Sequence, residues 1–346
     1  MFRKEPAMND FLYSRASSMQ DALAKINISQ KHRAVAGGTN LIDLMKYFIT
    51  DAAELVDVNT IPQHHAIEEL PDGGLRLGAL TTNAETAYHP LVESRYPLLS
   101  KAILAGASAQ IRNMATNGGN LMQRTRCYYF YDVNTPCNKR TPGSGCAAIG
   151  GYNRTMAIMG TSEHCIAVFP SDMCVALAAL NAVVNIEGPD GDRQLPFADF
   201  HRLPGDTPHL DNNLKDGELI SSIDLPAEGF PQHYSYLKLR DRNSYAFALV
   251  SVATAFELCD TGISKARIAL GGVAHRPWRV TEAEVFLNGK DPVRVNFEAA
   301  ADIILQGAVP FEHNAFKIEL AKRAIVRNCM MALDPDTQLP GAQPSH

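Results

Sequence analysis

The spacing of apolar positions changes period several times along the chain. LYSRAS (12–17) is extended, MQDALAKI (19–26) has helical spacing, and HRAVAGG (32–38) closes a buried strand on two glycines. TNLIDLMKYFI (39–49) reads as a helix and AAELVDVN (52–59) as a short apolar strand, a βαβ rhythm that suggests an α/β unit. GLRLGAL (74–80) predicts a strand after a tight turn at Asp72–Gly74. LLSKAILAGASAQIRN (98–113) predicts a helix running into a Gly-Ala-Ser corner.

Regular patterning then stops. Residues 126–165, RCYYFYDVNTPCNKRTPGSGCAAIGGYNRTMAIMGTSEHC, mix aromatics, glycine, proline and asparagine. It resumes at SDMCVALAALNAVVNIEG (171–188), a helix leading into a strand, and at GELISSIDLP (217–226), a strand. Proline and glycine mark a linker at 227–232. YSYLKLRD, YAFALVSVATAFEL and ARIALGGVA alternate like antiparallel strands, and 280–334 is mostly helical. The last dozen residues read as a disordered tail.

At 346 residues, with 46% hydrophobic and 20% charged residues, the chain is an ordinary globular one of two or three domains. A net charge of −5 argues against a nucleic-acid or anionic-membrane partner. No stretch approaches the ~20 apolar residues of a membrane span. The first residues lack the apolar core of a secretory signal, and Met8 is an alternative start. Seven cysteines, an odd number, do not favour a finished disulfide framework.

Two glycine turns are candidate binding elements. In VAGGTNLIDLMK (35–46) a strand ends at Gly37 and Gly38 and a helix follows, a setting in which backbone N–H groups cradle a phosphate. ATNGGNL (115–121) repeats the arrangement about eighty positions on. Neither is a Rossmann or P-loop signature. The plainer readings are a helix capped by Thr39 or Asn40 and a hairpin turn. Together the two turns favour a nucleotide-type cofactor gripped at both ends of a diphosphate.

Four cysteines, Cys127, Cys137, Cys146 and Cys165, are spaced C-x9-C-x8-C-x18-C. Zinc knuckles prefer C-x2–4-C pairs, and none occurs here. Wide gaps in a glycine-rich loop suit a larger object such as a [4Fe–4S] cube, with backbone N–H groups reaching its sulfurs. Four unrelated buried thiols are the alternative. Cys174, Cys259 and Cys329 lie in apolar runs and read as core. Asp172 stands at a helix start, either as a cap or as a partner for cofactor hydroxyls. Lys238 lies on a strand beside Arg240 and Arg242, a pattern that usually means a solvated face. No local catalytic set is present.

The ordered set AGGTNL, QIRNMATNGGN, PSDM, YLKLRDRNSYAFALVSVA and ALGGVAHRPWR resembles the FAD-binding subunits of molybdenum hydroxylases, over roughly residues 9–332. In most of that family the aspartate follows the glycine-asparagine turn closely. Here the cysteine stretch separates Asn120 from Asp172, which is similar to the bacterial periplasmic aldehyde oxidoreductase branch with its [4Fe–4S] loop. The resemblance implies an α+β fold. A two-lobed FAD-binding domain of the PCMH, vanillyl-alcohol-oxidase-like type would span 8–228, with lobes of about 8–60 and 61–228 and a cluster loop at about 122–168. A domain of a three-stranded sheet plus helices would follow at 229–334, then a disordered tail, 335–346.

It also implies residue roles. Ala34, Val35, Ala36, Gly37, Gly38, Thr39, Asn40 and Leu41 would wrap the FAD diphosphate. Gly106 and Ala107 would line the cofactor, and Thr116, Gly118, Gly119 and Asn120 would hold its other side. Asp172 would bind a cofactor hydroxyl, and Ile220 and Lys238 would approach the flavin ring, where the lysine charge would favour the anionic reduced form. Cys127, Cys137, Cys146 and Cys165 would ligate the cluster.

By the same resemblance, an aldehyde is oxidised on a molybdenum-cofactor subunit. Electrons cross a [2Fe–2S] subunit to this FAD and leave to oxygen or an electron-transfer protein. The complex would be soluble and bacterial, either periplasmic by co-export with a signal-bearing partner or cytoplasmic. Rival readings are a xanthine dehydrogenase or 4-hydroxybenzoyl-CoA reductase-like flavoprotein, a stand-alone flavin oxidase, and a non-catalytic zinc-loop scaffold.

Overall fold

A computed structural model describes residues 8–334, so the tail expected at 335–346 lies outside the described residues. Strands β1 (Leu12–Arg15), β2 (His32–Val35) and β3 (Glu54–Asp57) form a parallel sheet in the order β1–β3–β2. Helix α1 (Met19–Ile26) makes the crossover, and its first turn is fixed by Ser18, whose hydroxyl accepts from the Asp21 N–H. After β2 the chain turns through Gly38, at φ 69°, into α2 (Leu41–Lys46). This helix stops earlier than its apolar spacing predicts, because Phe48 adopts φ 57°.

The second sheet is antiparallel, in the order β4–β5–β8–β6–β7, from β4 (Ile67–Glu69), β5 (Leu75–Gly78), β6 (Val183–Glu187), β7 (Arg193–Pro196) and β8 (Leu219–Leu225). Between β5 and β6 run α3 (Asn83–Tyr88), α4 (Pro90–Arg95), α5 (Pro97–Ala105), α6 (Ala109–Arg112), α7 (Asn117–Leu121), α8 (Tyr128–Tyr131) and α9 (Asp172–Ala179). The Gly-Ala-Ser corner divides α5 from α6.

The third sheet is antiparallel, β12–β11–β10–β9, from β9 (His233–Leu239), β10 (Val250–Cys259), β11 (Gly262–Gly271) and β12 (Trp278–Arg279). The two-residue β12 adds an edge to the three strands legible in the sequence. Helices α10 (Thr281–Leu287), α11 (Arg294–Ile304) and α12 (Phe316–Leu333) share an apolar core with this sheet. Every residue of α9 is buried, the apolar ones in the core and Asp172 in an ion pair. It joins the cores, since one apolar cluster contains Val175 and Leu177 with Val184 of the second sheet and Ala253 and Ala269 of the third.

Cys174 and Cys329 are buried as expected, but Cys259 is exposed. A register shift between Glu257 and Leu258 breaks the strand alternation, and the residue sits at the tip of the β10–β11 hairpin. Between residues 122 and 168 the only helix is α8, because proline, glycine and asparagine interrupt any period. Side chains hold this segment instead. Arg140 donates to the carbonyls of Tyr129 and Phe130 at 2.8 Å each, and Asn138 Nδ2 to that of His164 at 3.1 Å.

Candidate cofactor site

The two glycine turns meet. A Cβ on Gly37 would lie 1.7 Å from the Met114 carbonyl oxygen, so only glycine lets the turn after β2 pack on the approach to α7. The second turn is not a hairpin. Thr116 caps α7 by accepting from the Gly119 N–H at 3.3 Å.

Beside this junction opens a cavity of about 590 Å³, a size typical of cofactor pockets. Thr39 and Asn40 line it from the first turn, Gly106 and Ala107 from the α5–α6 break, Gly119 and Asn120 from α7. Asp172 enters from α9 and Lys238 from β9. Two lining residues, Ala107 at φ 52° and Tyr245 at φ 50°, hold left-handed backbone without being glycine. Strain of this kind collects at ligand sites.

The other expected residues lie off the cavity wall. Ala34 and Val35 belong to β2, and Ala36 and Leu41 pack on apolar clusters behind the turn. Gly118 is pressed against Ala79. Ile220 sits on β8 opposite Ile186 and does not line the cavity.

Lys238 is not on a solvated face. Its ammonium makes a buried 2.8 Å ion pair with Asp172 Oδ2 and donates to the Ala105 carbonyl at 3.1 Å. Tyr236 donates its hydroxyl to the other Asp172 oxygen at 2.7 Å. The pair carries no net charge, which cancels much of the field expected from Lys238 alone. Tyr236 carries only a weak mark in the sequence. Its signal was the strand period, since positions 236 and 238 of one strand share a face.

Asn120 is the hub of a polar network. Its side chain receives Ser171 Oγ at 2.6 Å and Gln123 Nε2 at 2.9 Å, and its amide donates to Asn83 Oδ1 at 2.7 Å. Asn83 also lines the cavity, and nothing in the sequence marks it. One group is left over. Asn40 Oδ1 accepts from the Arg124 N–H at 2.8 Å, but the buried Asn40 Nδ2 has no partner. Such an orphan donor is costly, and on the cavity wall it fits a ligand oxygen. The glycine cradle, the cavity size and this donor all suit a nucleotide cofactor.

The four cysteines converge on a second, small cavity, which Cys127, Cys137, Cys146 and Cys165 line together. Cys127 lines both cavities. Cys137 and Cys146 face each other across an isolated antiparallel bridge. The N–H groups of Phe130 and Tyr129 point at the Cys127 sulfur, and that of Ala167 donates to Cys165 Sγ at 3.5 Å. As free thiols, Cys127 and Cys165 are pushed up to about 12 and about 11 by burial. Cys174 does not line this cavity. Lys139, fully enclosed beside it, pairs with Asp211, which also accepts from Arg124 Nε at 2.6 Å. Among the described residues, no group of three or more His, Cys, Asp or Glu is placed to hold a single metal ion.

Residues 7–228 match the family described as the FAD binding domain in molybdopterin dehydrogenase, and residues 234–332 the CO dehydrogenase flavoprotein C-terminal domain. The chain is 47% identical to the aldehyde oxidoreductase FAD-binding subunit PaoB of Escherichia coli, covering 92% of this chain and 96% of the relative. It is 28% identical to the glyceraldehyde dehydrogenase medium chain of Sulfolobus acidocaldarius, covering 85% of each. In fold it matches a carbon monoxide dehydrogenase chain from Hydrogenophaga pseudoflava with a TM-score of 0.74 at 24% identity, covering 94% of this chain and 98% of that one. The chain belongs to the family of FAD-binding subunits of molybdenum hydroxylases.

Proposed function

We propose that this chain is the electron-outlet subunit of a molybdenum-containing aldehyde oxidoreductase, holding FAD in the large cavity and a [4Fe–4S] cluster between Cys127, Cys137, Cys146 and Cys165. The observation that carries it is the position of Cys127 in the wall of both cavities, which makes the two sites neighbours. The aldehyde assignment follows the 47% identity to an aldehyde oxidoreductase subunit.

The donor set fits the cluster. Each thiolate of a cube would bind a different iron, so a cube does not require the four sulfurs to converge on one ion. The N–H groups of Tyr129, Phe130 and Ala167 would stabilise sulfur in its anionic form. For FAD, Asn40 Nδ2 would donate to a cofactor oxygen and Gly37 and Gly38 would let the backbone close on the diphosphate. Asp172 keeps free lone pairs for a hydroxyl while Tyr236 and Lys238 hold it in place. Bound FAD accepts electrons singly and hands them on in pairs. The partners in this reading are a molybdenum-cofactor subunit and a [2Fe–2S] subunit, with oxygen or an electron-transfer protein as acceptor.

The test is iron, acid-labile sulfide, zinc and flavin content of the anaerobically purified chain. One FAD and about four irons are expected. Flavin without iron would remove the cluster, and zinc in its place would make the loop a scaffold. Within the co-purified complex, an aldehyde should reduce the flavin, and the chain alone should not respond.

A further inference from the structure

Lys317, in the first turn of α12, has no exposed surface. Its ammonium donates to three backbone carbonyls: Gly272 at 2.6 Å, Met156 at 2.8 Å and Thr155 at 3.3 Å. All three acceptors belong to residues that line the large cavity. Thr155 and Met156 lie in the closing part of the cysteine-bearing segment, and Gly272 follows β11. Asn314, also fully buried, donates from the same side to the carbonyls of Met156 and Ala157 at 3.3 and 3.2 Å. The wall they hold is tight. Gly272 has φ 73°, and a Cβ there would lie 2.8 Å from the carbonyl oxygen of Leu249, another lining residue.

We propose that Lys317 is a positioning residue for the cofactor: from behind the wall it ties the end of the cysteine segment to the end of β11 and, when protonated, places a positive charge there. This rests on the reading that FAD occupies the large cavity. A buried cation held only by carbonyls is expensive, and burial pushes its pKa down to about 7. Apolar packing alone would be met by methionine at less cost. Three carbonyl acceptors match the three donors of an ammonium, which neither methionine nor glutamine supplies. The charge has a consequence that packing lacks. Reduction adds negative charge to a flavin, so a nearby cation makes reduction easier.

The full-length chain is compared with Lys317→Met and Lys317→Gln, reading FAD affinity by flavin fluorescence and the flavin midpoint potential by dye equilibration. Lys317→Met should bind FAD about ten-fold more weakly and, at about pH 6 where Lys317 is largely protonated, shift the potential negative. Lys317→Gln should recover part of the affinity through its amide donors but keep the shifted potential. Variants with wild-type affinity and potential would overturn the inference while leaving the cavity assignment intact. Loss of folding in both variants would also overturn it, by making Lys317 a residue of the core alone. If the wild-type chain takes up no FAD, the cavity assignment falls, and the inference with it.

Discussion

Gly37 and Met114 belong to two turns far apart in sequence, yet the glycine's Cα lies so near the Met114 carbonyl that no side chain fits between them. The obstacle is backbone, which cannot swing aside as a side-chain end would. Gly37→Ala should therefore separate the turns, destabilise the chain by about 1–3 kcal/mol and abolish stoichiometric FAD. Gly150→Ala is the control, because nothing lies within 4 Å of its would-be Cβ. It should stay within about 0.5 kcal/mol of wild type. Denaturant midpoints and flavin content check both.

Asp172 and Lys238 lock α9 to β9 at the edge of the cavity. Removing one partner strands a largely buried charge. Lys238→Met and Asp172→Asn should each cost about 3–5 kcal/mol, and the double variant less than the sum of the two. A double-mutant cycle on urea midpoints measures the coupling. Simple additivity would mean that Tyr236 and the Ala105 carbonyl, rather than the pair, hold these groups.

Much of this was legible in the sequence because the signals were local. Two glycines after a strand and two within a short helix are marks of backbone geometry, and YSYLKL put Lys238 on a strand while its charged neighbours pointed it to solvent. What escaped depended on contacts between distant segments. Ile220 sits on β8 in register with Ile186 of β6, outside the set of lining residues. Asn83 and Lys317 reach the cavity through partners that local sequence does not announce. The cysteine spacing marked the four residues as a set, while their shared cavity needed the whole segment to be folded back by Arg140 and Asn138. Cys259 looked apolar in context, but the bulge that exposes it leaves no mark in the local pattern.

His201 and His275 make stability fall on acidification. Burial drops His201 to about 4 and His275 to about 3, so both stay neutral in the fold while the unfolded chain takes up protons near pH 6.5. Their contribution is full above pH 6.5 and is lost as pH falls, through about 4 for His201 and about 3 for His275. Each costs about 1.4 kcal/mol per pH unit within its window. His201→Phe removes one of them. Between pH 6 and 5 the variant's stability should fall less steeply than wild type by about that amount per unit, whatever the variant's starting stability. Urea midpoints at the two pH values decide it. An unchanged slope would mean that His201 is already charged in the fold.

The cysteines divide into two classes by position. Cys127, Cys137, Cys146 and Cys165 line one small cavity, whereas Cys174 and Cys329 are packed in apolar cores and Cys259 is at a hairpin tip. If they hold the proposed cluster, serine at any of the first four should cut iron and sulfide by more than half, because a cube short of one thiolate is exposed to loss. Serine at Cys259 should leave the metal unchanged. Cys127→Ser has a further consequence that Cys146→Ser lacks, since Cys127 alone of the four also lines the flavin cavity. Its visible flavin spectrum and FAD affinity should shift together with the iron loss, while those of Cys146→Ser should not. Equal flavin spectra in the two variants would separate the two cavities and leave Cys127 without contact to the cofactor.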